Sequence, residues 1–70
     1  MLKISEFARI CNVSSQTLRY YAAEGLLCPD EIDPKSGYRY YSPEKIETLY
    51  RIQNYKEAGF SLDEIKDLLY

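Results

Sequence analysis

Histidine is absent from this 70-residue chain, and cysteine occurs only twice, as Cys11 and Cys28. The first absence removes the side chain that most often serves as a general base near neutral pH and most often ligates metals through nitrogen. The two cysteines match no zinc spacing, and a site built on them would lack two of its four ligands. They read as small, buried or half-buried apolar residues, with no support for a disulfide. Glycine is sparse, at three, and none of it forms a phosphate-cradling loop. No carboxylate pair and no Cys-His arrangement suggests chemistry, so the chain does not read as an enzyme, and no metal or cofactor is expected. There is no signal peptide and no apolar run of membrane-spanning length, which points to a soluble, cytoplasmic protein with no membrane partner. Low-complexity stretches and internal repeats are missing as well.

An excess of positive charge is also lacking. Nine Lys and Arg stand against eleven Asp and Glu, a net charge of −2, which excludes a simple basic domain. The sum conceals an uneven distribution. Residues 14–23 contain Arg19 and no acid, and residues 35–41 contain Lys35 and Arg39 and no acid. The carboxylates gather at Asp30, Glu31 and Asp33 and at six positions within residues 42–70. A near-neutral chain with two cationic patches can bind DNA, with less non-specific affinity than a basic one. Each patch sets an arginine among tyrosines, as Leu18-Arg19-Tyr20-Tyr21 and as Gly37-Tyr38-Arg39-Tyr40-Tyr41. The guanidinium is a planar fork of donors suited to phosphate oxygens and the guanine edge. Tyrosine adds a flat apolar body with a donor at its tip.

Hydrophobic residues are 46% of the chain, enough for one small domain with a thin core, since a domain of this size buries only about 60% of its unfolded surface. Ser5 is positioned to cap a first helix, with Glu6 in its first turn and Phe7, Ala8 and Ile10 as apolar contacts. That helix ends near Cys11-Asn12, where asparagine suits a left-handed turn. Ser14 caps a second helix that runs to about Ala23 and stops at Gly25, with Val13 and Leu18 forming a hydrophobic staple. Leu18, Tyr21 and Ala22 fall toward the core, leaving Ser15, Gln16, Arg19 and Tyr20 on the other side. Two short helices divided in this way make a helix-turn-helix over about residues 5–23.

Leu26-Leu27 and Pro29 form an extended connection. Asp33-Pro34-Lys35-Ser36-Gly37 has strong turn chemistry, so residues 30–41 read as a two-stranded hairpin, a wing. Alternation puts Tyr38 and Tyr40 on one of its faces and Arg39 and Tyr41 on the other. Ser42-Pro43 opens a third helix, Ser42 as cap and Pro43 at the first position, with Ile46, Leu49 and Ile52 inward and Ala58-Gly59 at its end. Ser61 and Glu64 form a capping box and Phe60 and Ile65 a staple for a fourth helix, whose apolar positions are Leu62, Ile65, Leu68 and Leu69. Lys56 and Lys66 read as solvated helix charges. No stop signal accompanies Tyr70, which suggests a chain that continues. The expected architecture is mainly α, a winged helix-turn-helix of about four helices with a two-stranded wing, the helical pair spanning about residues 43–70.

The ordered set Lys3-Ile4-Ser5-Glu6-Phe7-Ala8, Val13-Ser14, Thr17-Leu18-Arg19-Tyr20-Tyr21, Glu24-Gly25-Leu26-Leu27, Gly37-Tyr38-Arg39-Tyr40-Tyr41 and Gly59-Phe60-Ser61-Leu62-Asp63-Glu64-Ile65 resembles the DNA-binding domain of the MerR family of transcriptional regulators. The resemblance covers nearly the whole chain. It implies a homodimer joined by a long coiled-coil helix and a C-terminal effector region, both beyond these 70 residues. It implies binding to pseudo-palindromic operators in promoters, with an effector-driven distortion of the spacer that realigns promoter elements for RNA polymerase. By position, Arg19 and Tyr20 would reach bases or phosphates from the second helix, and Ser15, Gln16 and Thr17 would meet base edges and backbone near its N-terminus. Tyr38 and Arg39 would grip the backbone from the wing, and the amides around Ser61 could meet a phosphate. Two other functions suit the same form. One is an excisionase-like architectural DNA-binding protein. The other is a protein-interaction domain without DNA binding, for which the acidic balance speaks.

Overall fold

Asn12 adopts a left-handed conformation (φ 56°, ψ 45°) and turns the chain between two short helices, α1 (Ile4–Cys11) and α2 (Ser15–Ala23). The computed structural model describes residues 1–70. Before α1 lies a short strand, β1 (Leu2–Lys3); after α2 come β2 (Glu31–Ile32), β3 (Arg39–Tyr41), α3 (Glu44–Glu57) and α4 (Leu62–Leu69). The helix-turn-helix, the wing and the helical pair therefore stand where the sequence pattern puts them.

The first helix starts earlier than a Ser5 cap requires. Lys3 occupies the cap position, and its N–H donates to the Glu6 carboxylate at 3.0 Å. An acid at the third helical position satisfies a donor that would otherwise point into solvent unpaired. Ile10 does not reach the core. Phe7, Ala8 and Cys11 define the buried arc of α1, and Ile10 lies outside it, 51% exposed. At α2 the expected cap is present, with the Ser14 hydroxyl accepting from the Thr17 N–H at 3.0 Å. Val13 packs against the core beside the fully buried Leu18.

Helices α2 and α3 end alike. Gly25 (φ 72°) and Gly59 (φ 95°) take the left-handed position that lets the next residue's N–H reach back to the helix. Leu26 donates to the Tyr21 carbonyl at 2.8 Å, and Phe60 donates to the Tyr55 carbonyl at 3.1 Å. This motif brings the residue after the glycine against the last turn. Phe60 accordingly lies edge-on to Tyr55, ring centroids 5.6 Å apart, and stays partly exposed. The capping box of α4 is present, with Glu64 accepting from the Ser61 N–H at 2.8 Å and Ser61 Oγ accepting from the Glu64 N–H at 3.2 Å. Leu68 departs from the expected apolar stripe and is about half exposed.

The sheet has three strands, not two, in the order β1-β3-β2, both pairs antiparallel. Leu2 faces Tyr41 and Lys3 faces Tyr40 on one side of β3; Ile32 faces Arg39 and Glu31 faces Tyr40 on the other. A two-residue strand carries no periodic signal of its own, so β1 exists because β3 offers it an edge. At the hairpin turn, the Asp33 carboxylate accepts from the N–H groups of Lys35 (2.8 Å) and Ser36 (3.4 Å). Those donors hold its carboxyl below the usual range.

Ser42 does not cap α3 with its side chain; the helix begins at Glu44, one residue beyond the expected first position. Instead the Ser42 N–H donates to the Asp30 carboxylate at 2.7 Å, and Lys45 Nζ donates to the Cys28 carbonyl at 2.7 Å. With the Lys45–Asp30 ion pair at 3.9 Å, these bonds tie the base of the wing to the start of α3.

Every buried residue is apolar or aromatic: Phe7, Ala8, Cys11, Leu18, Tyr21, Leu26, Leu27, Tyr41, Leu49, Ile52 and Ile65. Tyr41 stacks on Phe7 at 4.7 Å, locking the wing to α1. Its hydroxyl finds no partner on the chain. Tyr21 packs inward as expected. Its hydroxyl accepts from Lys56 Nζ at 3.0 Å, and the ammonium stands 5.5 Å from its ring. Lys56 is thus a tie between α3 and α2 rather than a free solvated charge. Cys11 is buried, and burial raises its thiol pKa. Cys28 is exposed, against expectation, with its Sγ 3.9 Å from the Ala22 carbonyl.

Candidate nucleic-acid interface

Three separate elements meet around a cleft of about 470 Å³. The end of β1 and the first turn of α1 contribute Lys3, Ile4 and Ser5; α2 contributes Arg19; the wing contributes Gly37, Tyr38 and Arg39. The two arginines singled out by the sequence therefore face one space. Lys3 joins them, so the cleft holds three cations and no carboxylate. Neither arginine is paired: the chain's single ion pair is Lys45–Asp30. Like charges drawn together without an acid repel one another, so the cleft favours an anion.

The buried Tyr41 lies close to this charge. Burial pushes its phenol pKa up, while the guanidinium of Arg39 and, less strongly, that of Arg19 pull it the other way. Both cations are thus near enough to the inner side of β3 to be felt there. Lys3 Nζ stands 6.0 Å from the centre of the Tyr38 ring, an aromatic contact that places the ammonium without neutralising it. Acids collect elsewhere. A separate depression of about 260 Å³ beside β2 is lined by Glu31, Ile32, Asp33, Pro34 and Tyr40.

Of the other candidate residues, Ser15, Gln16, Thr17 and Tyr20 lie along α2 outside the cleft. Gln16 and Tyr20 are exposed, and Ser15 and Thr17 are half-buried. The Thr17 hydroxyl is 2.8 Å from Ser14 Oγ, so it is engaged in the helix cap. The Tyr20 ring is 52% exposed and tilted against Tyr21 at 6.2 Å. Tyr38 is 60% exposed at the wing. Lys3 and Ser5 were not among the sequence candidates for contact. No sequence signal marks Lys3, because its two-residue strand exists only through the pairing with β3. No group of three or more His, Cys, Asp or Glu side chains is placed to hold a metal ion, and no helix is long and apolar enough to cross a membrane.

The profile of the MerR HTH family regulatory proteins matches residues 2–70. The chain belongs to the MerR family. Among MerR-type relatives, the transcriptional regulator BrlR of Pseudomonas aeruginosa is 44% identical over 68 residues, covering 97% of this chain and 25% of that protein. In structure, the N-terminal part of MtaN, the Bacillus subtilis multidrug transporter activator, is 40% identical with a TM-score of 0.88, covering 99% of this chain and 64% of that one. A cryo-EM structure of an EcmrR–DNA complex in EcmrR-RPo is 37% identical with a TM-score of 0.91, covering 96% of this chain and 25% of that one. The MerR-family chain spans between about a quarter and a half of the length of the first curated relatives it matches.

Proposed function

We propose that this chain is the sequence-specific DNA-binding domain of a bacterial transcriptional regulator acting in the cytoplasm. Its ligand is double-stranded DNA, and it has no catalytic activity. In the full-length protein it works as a homodimer on a pseudo-palindromic promoter operator, distorting the spacer for RNA polymerase when an effector is bound. The observation that carries this reading is the acid-free cleft that brings Arg19 of α2 and Arg39 of the wing onto one side of the domain. The EcmrR–DNA complex, whose domain shares this fold, supports it.

Arg19, Tyr20 and Gln16 form the exposed face of α2 that enters the major groove, with the half-buried Ser15 at its N-terminal edge and Thr17 fixing its first turn through the Ser14 cap. Arg39 and Tyr38 hold the phosphate backbone from the wing. A gel-shift titration of wild type, Arg19→Ala and Arg39→Ala against duplexes selected from a random library tests these roles. Arg19→Ala should lose about 1–3 kcal/mol on the selected duplex and relax its sequence preference. Arg39→Ala should weaken binding to all duplexes alike. Equal binding by all three proteins refutes the assignments. No saturable binding by the wild type, even at low salt, would instead favour a protein-interaction domain.

A further inference from the structure

We propose that the mouth of the cleft seats one backbone phosphodiester of duplex DNA, held by Lys3 together with Arg39 of the wing, beside the base-reading Arg19. This rests on the DNA-binding reading above and adds a residue and a defined subsite to it. Three observations carry it. First, Lys3 reaches the cleft from an element remote in sequence from both arginines, because β1 pairs with β3 and sets Lys3 opposite Tyr40. Second, its ammonium is uncommitted. It forms no ion pair and no side-chain hydrogen bond, and the centre of the Tyr38 ring is 6.0 Å away. The nearest acid in sequence, Glu6, spends its carboxylate on the Lys3 backbone N–H at 3.0 Å and does not line the cleft. Third, the space measures about 470 Å³, large enough for a phosphate group.

The chemistry of the side chain sets its role. A lysine ammonium is a compact point charge that holds phosphate without the two-pronged geometry by which arginine reads guanine. Lys3 also stands at the entry to α1, not on the helix that carries the candidate base-reading face. It therefore supplies affinity and register without sequence preference. Tyr38 lines the same subsite.

The test is fluorescence anisotropy of wild type, Lys3→Ala and Lys3→Arg with a library-selected duplex and a scrambled duplex, between about 50 and 200 mM KCl. Lys3 is exposed, and a thermal melt confirms that each variant is folded. One lost phosphate contact flattens the slope of log affinity against log salt by about 0.9, so the Lys3→Ala deficit shrinks about 3.5-fold across that range. The deficit is equal on both duplexes, and Lys3→Arg restores the wild-type slope. A Lys3→Ala slope equal to wild type, or a loss confined to the selected duplex, overturns the proposal while leaving DNA binding intact. Absence of wild-type binding to either duplex overturns both readings. Inorganic phosphate alone, followed by amide NMR, is the second arm. Saturation at micromolar concentration with shifts at Lys3 and Arg39 would assign the seat to a free anion and overturn the duplex assignment.

Discussion

Removing the Lys56 ammonium should uncouple α3 from α2 by a measurable amount. Lys56 Nζ donates to the Tyr21 hydroxyl at 3.0 Å and sits 5.5 Å from the ring centre. A hydrogen bond with a charged partner contributes about 1.5–3 kcal/mol when shielded. Lys56 is exposed on average, so screening brings this toward about 1 kcal/mol. An ammonium 3.0 Å from the phenol oxygen and 5.5 Å from the ring centre lies near the ring plane beyond that oxygen, so the ring face adds nothing and the whole effect is about 1 kcal/mol. A 70-residue domain has a net stability of about 4–10 kcal/mol, and each lost kcal/mol lowers the melting point by about 4–8 °C. The assay is a double-mutant cycle of Lys56→Met and Tyr21→Phe in urea. Lys56→Met keeps the apolar stem, and Tyr21→Phe keeps the buried ring while deleting the acceptor. The hydrogen bond should appear as a coupling of about 1 kcal/mol, and adding Lys56→Met to the Tyr21→Phe variant should cost little more. A coupling within the roughly 0.3–0.5 kcal/mol scatter of independent sites would refute the tie.

Three further outcomes are expected. Gly25→Ala places a Cβ no closer than 3.6 Å to Lys66 Nζ, so its cost is the left-handed backbone, about 1–2 kcal/mol in the urea midpoint with an unchanged slope. Tyr41→Phe removes a hydroxyl with no partner on the chain and should be neutral or stabilising by calorimetry, whereas Tyr41→Ala should lose about 3–5 kcal/mol by opening a cavity. The Glu64 and Asp33 carboxyls are both held below their ordinary values by backbone N–H donors. A depressed folded value means that their contribution is complete above the unfolded carboxylate range, about pH 4, and is lost as pH falls through the folded value. Stability followed by circular dichroism should thus decline in acid, and Glu64→Gln, which keeps the cap without titrating, should show a shallower decline.

Elements with their own punctuation were legible in the sequence. Ser14, Gly25, Gly59 and the Ser61–Glu64 pair mark helix ends through local hydrogen bonds, and the structure places those ends where they fall. Misreadings cluster where a distant partner decides. Ser42 resembles a cap, but its side chain makes no cap bond and the helix starts after Pro43; its N–H is tied to Asp30, twelve residues earlier. Lys56 resembles a free charge until the packing of α3 on α2 brings Tyr21 beneath it. The same division applies at the candidate interface. Arg19 and Arg39 were visible because each stands in an acid-free run of aromatic residues, whereas Lys3 enters only through a strand pairing that two residues cannot announce.

That pairing also means the hairpin is not a detachable cassette. Leu2 and Lys3 close one edge of β3 while β2 closes the other. A chimera that imports residues 30–41 from a homologue and keeps its own first residues marries a foreign ribbon to a native selvedge. Both must be exchanged together if the transplant is to keep its shape.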